Sequence, residues 1–349
     1  MMKQTSEPRM KKAALLYGLL LLTVSVSAQT VQKERLWEYW GKSETYLSHE
    51  ADVLLDLADR TLLAYPPVPN PSVERRLALA ALDAVLHQPR NDDGPELRDF
   101  VGKRVGRVLE EMDKPLKKKG LDIWKIYNDG FIVRSRSLTL GFDLCGTRGN
   151  LKPVPDSLMR DLVNRCDALF ISHRDPDHAD RNVVAMAAEA GIPVYGPEDF
   201  RNDDFIPVRK EDSGTVSLSV RDGRTIRVQP LPGHQDGLQN NIYVVTFPEG
   251  LTFAHCGDQY LKDDVPWLTS VSRKMEKPLD VLVIDCWAMD MEDTILGFRP
   301  RTVVLGHENE LGHTIDHREA FWQSQYKLDV MRLPMPAYIL AWGEHCFLR

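Results

Sequence analysis

Cysteine is scarce in this chain. Five are spread over 349 residues, at positions 145, 166, 256, 286 and 346, and no two form a CxxC pair. Their odd number and wide spacing do not imply a disulfide framework, although an exported protein can hold one bridge. Cys145, Cys256 and Cys286 sit in or beside apolar runs, where cysteine behaves as a small core residue. Long basic runs are missing too. Lys117-Lys118-Lys119 is the longest, in a chain of net charge −7, so nothing advertises a nucleic-acid surface. No repeat at a fixed short period is visible. What remains is an ordinary globular composition, 43% hydrophobic and 27% charged, long enough for one large domain or two smaller ones.

The first residues read as a targeting segment. Met10-Lys11-Lys12 is a basic start, residues 13–22 are apolar, and Ser25-Val26-Ser27-Ala28 are small. That order is a secretory signal peptide with an A-x-A-like cleavage site, and Met10 is a candidate start. The apolar run is short for a membrane span. No cysteine follows it to carry a lipid. The expectation is a protein exported to the periplasm or outside the cell, without a stable membrane anchor, whose fold begins at residue 29.

Residues 29–118 form a predicted helical N-terminal region. Leu36, Tyr39 and Trp40 have the i, i+3, i+4 spacing of one helical face. Leu54, Leu55, Leu57 and Ala58 continue the pattern, as do Leu77, Leu79, Ala80, Leu82 and Val85. Prolines at 66, 67, 69 and 71 break the region, and residues 91–95 break it again before a helix to about residue 112. No chemistry shows here; His49 and His87 are isolated. The region is a helical preface that packs on the main domain or caps its site.

Short strands begin after Gly120. Residues 123–127, 131–134 and 138–143 make an antiparallel meander around the turn Asn128-Asp129-Gly130. Residues 156–165 read as a helix and 168–171 as a buried strand. A helix over 182–190 leads to a strand at 192–196. A second series follows at 216–220, 225–228, 241–247 and 251–254, with later buried strands at 281–285 and 302–306. Strands and helices in this order predict an α+β chain of two sheets packed face to face, with helices outside.

The densest chemistry follows the strand at 168–171. His173-Arg174-Asp175-Pro176-Asp177-His178-Ala179-Asp180 holds two histidines and three carboxylates in eight residues, and Pro176 keeps the stretch a loop. Imidazoles and carboxylates on one tight loop suit borderline and hard divalent ions. Later candidates also sit at predicted strand ends: His234 in Pro232-Gly233-His234, His255 and Asp258 in His255-Cys256-Gly257-Asp258, and His307 after Gly306. His313 and His317 follow as groups that could orient substrate or support the ligands, with surface and capping roles equally open. Trp287, Tyr260, Trp342 and His345 are mouth or core residues. Asp143 is a candidate acceptor behind the ligands, and Asp180 a helix cap.

The order of these motifs resembles the metallo-β-lactamase superfamily, whose first motif H-x-H-x-D-H precedes a distant His, a Gly-Asp aspartate and a final His. The resemblance covers roughly residues 120–349. It implies an αββα sandwich and a one- or two-metal site at one edge. Carried over, His173 and His234 ligate a first metal, Asp177, His178 and His307 a second, and Asp258 bridges them. Here Asp175 stands where the family has its second His. If it ligates, the first position is richer in oxygen, which moves preference from zinc toward iron or manganese, as in the flavodiiron-like members. If it does not, that position is weak.

The function implied is an exported metal-dependent hydrolase with two divalent ions, zinc by default. A metal-bound water with its pKa lowered to about 7 supplies hydroxide, and Asp177 orients it or shuttles its proton. The substrate is a small ester-like molecule such as a phosphodiester or lactone, by analogy with the lactonase and phosphodiesterase-like branches; fold does not fix it. A diiron oxidoreductase of the same fold is the alternative, although no flavin-type module accompanies it. A non-catalytic metal-binding protein is the third reading.

Overall fold

A computed structural model describes residues 41–88, 94–116, 118–147, 151–199, 205–208 and 214–348. The signal-peptide reading of 1–28, the stripe Leu36, Tyr39 and Trp40, the break at 91–93 and Lys117 lie outside the described residues. The chain divides into two compact units, Met1–Asp52 and Val53–Arg349. Of the first, residues 41–52 are described, and they begin helix α1, Ser43–Ala64.

Helices α2 (Val73–Leu86) and α3 (Pro95–Met112) complete the helical preface. The Ser72 side chain caps α2, and Pro95 stands in the first turn of α3, where its missing N–H costs nothing. Leu79, Leu82 and Val85 are buried on α2 as their spacing predicts, whereas Leu77 is 65% exposed. Two buried arginines fasten these helices to the C-terminal strands. Arg75 donates to Glu344 and to the Ile339 carbonyl, and Arg104 donates to Asp59 and to the Trp342 carbonyl. A guanidinium suits such sites because it offers several donors in a fixed fork.

Two seven-stranded sheets follow. The first is built from β1 (Leu121–Tyr127), β2 (Gly130–Arg134), β3 (Thr139–Phe142), β4 (Ala168–Phe170), β5 (Val194–Gly196) and β6 (Ile206–Pro207), with α4 (Asp156–Asn164) before β4 and α5 (Arg181–Glu189) after it. The second holds β7 (Val216–Ser219), β8 (Thr225–Gln235), β9 (Leu238–Thr246), β10 (Thr252–His255), β11 (Val281–Asp285), β12 (Thr302–Gly306) and β13 (Ala337–Ile339). Helices α6 (Val265–Leu268), α7 (Met291–Phe298) and α8 (Phe321–Met331) connect its later strands. The last strand, β14 (Glu344–Leu348), returns to the first sheet beside β1. The first sheet is ordered β14-β1-β2-β3-β4-β5-β6 and the second β13-β12-β11-β10-β9-β8-β7. Each is antiparallel in one half and parallel in the other. Helices pack on these sheets, α3 against β14, α5 against β5 and α8 against β13. This is the expected α+β, αββα sandwich.

The core lies between the sheets. Phe142 and Phe170 of the first sheet stack at 5.2 Å; Phe142 meets Phe253 of the second at 4.9 Å, and Phe170 meets Tyr243 at 5.1 Å. Each such ring, buried to 1% exposure or less, stabilises the sandwich by roughly 1.5–3 kcal/mol. Among the described residues no helix is long and apolar enough to cross a membrane.

One strand departs from its prediction. The strand expected at 225–228 is longer: Gln229 to Gln235 continues β8 and pairs with β9 through His234↔Gln239. Beyond Val228 the neighbouring β7 no longer pairs, so this stretch is an edge on which prolines leave no ladder donor missing. His234 therefore stands on a paired strand next to the Asp236-Gly237 turn.

Candidate metal centre

The parallel strands β4, β10 and β12 end at one edge of the sandwich, and their following loops carry the acidic and imidazole groups. The Asp180 side chain accepts from Asn182 N at 2.8 Å to cap α5, and its second oxygen accepts from Gly146 N and Thr147 N at 2.9 Å. That closes the 173–180 loop against the segment after β3. Asp143, in the left-handed region at φ 44°, accepts from Ser172 N at 2.7 Å and from His178 Nδ1 at 2.8 Å. The His178 Nδ1 is thus held from behind, and its Nε2 faces forward. Gly257, at φ 53°, leaves no room for a side chain: a Cβ there would lie 2.4 Å from Ser172 Oγ. This close approach brings Asp258 beside the histidine loop.

At the centre, Asp177, His178, Asp258 and His307 bring one ligand atom each within 4.8 Å of one another, all buried. His178 Nε2 lies 3.2 Å from Asp258 Oδ1 and 3.3 Å from Asp177 Oδ2. His307 Nε2 lies 3.4 Å from both Asp177 Oδ2 and Asp258 Oδ2. Despite these approaches, Asp258 Oδ1 and the Nε2 atoms of His173, His178 and His307 are buried without a hydrogen-bond partner. Buried polar atoms seldom stay unpaired in a protein. A tetrahedron of ligands about 2.05 Å from a cation has edges of about 3.35 Å, close to the Nε2–carboxylate separations given above. The donor set of two imidazoles and two carboxylates fits a divalent ion.

A looser group adjoins it. His173 Nε2 lies 3.6 Å from Asp258 Oδ2 and 3.7 Å from Asp175 Oδ2. Asp258 thus stands between both groups, one oxygen toward His178 and the other toward His173 and His307. The sequence candidates brought together are therefore His173, Asp175, Asp177, His178, Asp258 and His307. His234 stands apart from these contacts: its Nδ1 faces Asp264 at 3.0 and 3.2 Å. His255 is buried behind the centre, with Nε2 3.1 Å from the Asp129 carbonyl oxygen and Nδ1 accepting from Gly257 N. His313 stacks on His307 at 5.8 Å, while His317 is exposed and paired with Thr314. Trp287 meets His307 edge-on at 5.4 Å and Tyr260 at 5.0 Å, both half-buried beside the centre. Trp342 belongs to the core against Tyr127, and His345 stacks on Trp124.

Charge governs the group. Burial opposes ionisation of Asp177 and Asp258, yet His178 and His307 overcome it and hold both carboxyls well below the usual range. Burial likewise opposes protonation of His178 and His307, and the surrounding carboxylates reverse it, raising both imidazoles well above their ordinary value. Behind them, burial pushes Asp129 up and Asp285 well up, helped at both by Asp258. Asp177 and Asp258 are thus held ionised, the form in which a carboxylate binds a cation.

Several residues at the centre escaped the sequence reading. Asn128 and Asp129, read only as turn residues, form the β1–β2 hairpin tip, where Asn128 Nδ2 donates to Asp177 Oδ2 at 3.1 Å. Gln235 Nε2 donates to Asp258 Oδ2 at 3.0 Å. Asp264 and Asp285 carried no signal beyond being acidic.

No family model matches the chain, and no curated protein does. Solved structures resemble it at low identity. A metallo hydrolase from the hyperthermophilic archaeon Ignicoccus hospitalis is 15% identical over 66% of this chain and 99% of its own, at a TM-score of 0.49. A diiron β-hydroxylase from Streptomyces venezuelae is 16% identical over 77% of this chain and 62% of its own, at 0.47. An isothiocyanate hydrolase from Delia radicum gut bacteria is 17% identical over 64% of this chain and 98% of its own, at 0.46. By its two-sheet topology and the order of its His and Asp loops, the chain has the αββα fold of the metallo-β-lactamase superfamily.

Proposed function

We propose that the chain is an exported metal-dependent hydrolase with a dinuclear centre acting on a small ester-like substrate, a phosphodiester or lactone. The observation that carries this reading is the set of buried ligand atoms, three imidazole Nε2 and Asp258 Oδ1, that lie close together without a hydrogen-bond partner among the described residues. His173, Asp175 and His234 would hold one ion, Asp177, His178 and His307 the other, and Asp258 both. Two divalent ions there would supply an ionised water at neutral pH and positive charge opposite a developing oxyanion.

The protein's own groups do the rest. Asp177 accepts from Asn128 at one oxygen, which orients the carboxylate and keeps it ready to hold the proton of the attacking water. Trp287 and Tyr260 form an apolar wall beside His307 that would exclude bulk water and pack against the substrate. His313, half-buried against His307, would orient a substrate oxygen. A second reading, a diiron-type oxidoreductase, is favoured by Asp175, which adds a carboxylate 3.7 Å from His173 Nε2.

The test is elemental analysis of protein beginning at residue 29, with Asp258→Asn beside it, and then assay on chromogenic phosphodiesters, lactones and β-lactams. Two equivalents of zinc with ester hydrolysis, both lost by about 10²-fold or more in Asp258→Asn, are expected, since losing a ligand exceeds losing its outer support. Mostly iron with oxygen or peroxide chemistry would establish the second reading. Protein that takes up no metal on addition would sink both.

A further inference from the structure

His234 is held by a hydrogen-bond network built on Asp264. Its backbone N–H donates to Gln259 Oε1 at 3.0 Å, and Gln259 Nε2 donates to Asp264 Oδ2 at 2.8 Å. Trp267 Nε1 donates to Asp264 Oδ1 at 3.0 Å. The His234 Nδ1 completes the set, 3.0 and 3.2 Å from the two oxygens of the same carboxylate. Gly233 makes room for this arrangement, because a Cβ there would lie 2.0 Å from Gln259 Oε1. Asp264 itself is buried, at 6% exposure, in the turn before α6.

Donor and acceptor roles in this network are forced. The indole nitrogen only donates, and Gln259 must present its oxygen to the His234 backbone, so its amide nitrogen faces Asp264. A carboxylate accepts. His234 Nδ1 can then only donate to Asp264, and in the neutral imidazole that leaves Nε2 without a hydrogen.

We propose that Asp264 is a positioning residue that fixes the Nδ1–H tautomer of His234 and so presents Nε2 as its only nitrogen able to bind a cation. The proposal rests on the reading of His234 as a ligand of the first position. The segment that begins with Asp258 and ends with Asp264 then sets two groups at once, the shared carboxylate and the tautomer of the distant histidine. A carboxylate behind a metal-bound imidazole both orients the ring and raises its basicity.

Asp264→Asn makes the test sharp. Its single oxygen cannot serve three donors. Trp267 and Gln259 cannot reverse their roles, but His234 can, by accepting at Nδ1 and carrying its proton on Nε2. Nitrogen NMR of histidine-labelled, metal-free protein at mildly alkaline pH should show His234 as Nδ1–H in the unaltered chain and Nε2–H in Asp264→Asn. Zinc titration should show one of two equivalents weakened about 10- to 100-fold in Asp264→Asn, with no further loss of affinity when His234→Ala is added to it. An Nε2–H tautomer in the unaltered chain overturns the proposal without any variant, whatever Asp264→Asn does to folding. Retention of Nδ1–H in Asp264→Asn overturns it as well. An inverted tautomer with zinc affinity unchanged, in Asp264→Asn and in His234→Ala alike, overturns the reading of His234 as a ligand and with it the positioning role, while the metal centre itself stands.

Discussion

At position 175 the side chain is a carboxylate on a loop otherwise built like a histidine-rich ligand loop. Asp175 is half-buried, and its pairing with His173 holds its carboxyl below the usual range. If the carboxylate ligates, Asp175→His should raise the zinc-to-manganese ratio taken up from an equimolar mixture on the order of tenfold, since imidazole suits zinc better than manganese. Elemental analysis after competitive loading reads that ratio; an unchanged ratio would show that Asp175 does not ligate. At this scale the motif residues were visible in the sequence because they crowd one loop or close a strand. Asn128, Gln235 and Asp264 were not visible. Each is an ordinary turn or polar residue until a partner distant in sequence, Asp177, Asp258 or His234, is folded against it.

Among the elements, α8 shows how a helix can depend on a residue far away in sequence. Its N-terminus has only half a local cap: Gln323 accepts from Ala320 N, but alanine offers no acceptor for the next amides. Asp83 of α2 supplies it, accepting from Phe321 N and Asn309 Nδ2 at 2.9 Å and from Trp322 N at 3.0 Å. Burial pushes the Asp83 carboxyl up to about 6 from 3.8, against the lowering by these donors. An acid whose folded pKa exceeds its unfolded one binds its proton more tightly when folded. Its contribution to stability is therefore full below about pH 4 and lost as pH rises through about 6. Over that window the unaltered chain should lose on the order of 3 kcal/mol relative to Asp83→Asn, from a shift of about 2 pKa units. Urea unfolding of both proteins across pH 4–6 measures this; parallel profiles would show that Asp83 does not titrate there. Helix α8 and the strands β13 and β14 that follow it lie beyond the last strand placed from the sequence, 302–306. The length of β8 was missed: the strand was expected to end at residue 228, whereas it runs on through Pro230 and Pro232, which a sheet edge tolerates.

For the whole molecule, the centre buries carboxylates and imidazoles of which several ligand atoms have no hydrogen-bond partner among the described residues. Cations that bind only the folded chain should stabilise it by about 2.7 kcal/mol each at a free concentration 100 times the dissociation constant. Calorimetric melting with zinc and with a chelator should then differ, the chelated protein melting lower; identical melting curves would mean that no cation binds the native state. What could be read before any folding was local: the alternation of short strands and helices, the apolar faces of α2, and the loop from His173 to Asp180 with its later partners in order. Those features depend on neighbours a few residues apart, and periodicity and turn chemistry report them directly. Folding was needed to show that β4 of one sheet and β10 and β12 of the other bring their following loops together and that β14 returns to β1. It was needed too to bring the β1–β2 hairpin tip to Asp177 and to turn His234 toward Asp264. Such placements come from pairing and burial between segments tens to hundreds of residues apart, and no local pattern in a chain encodes which distant partner a buried polar group will meet.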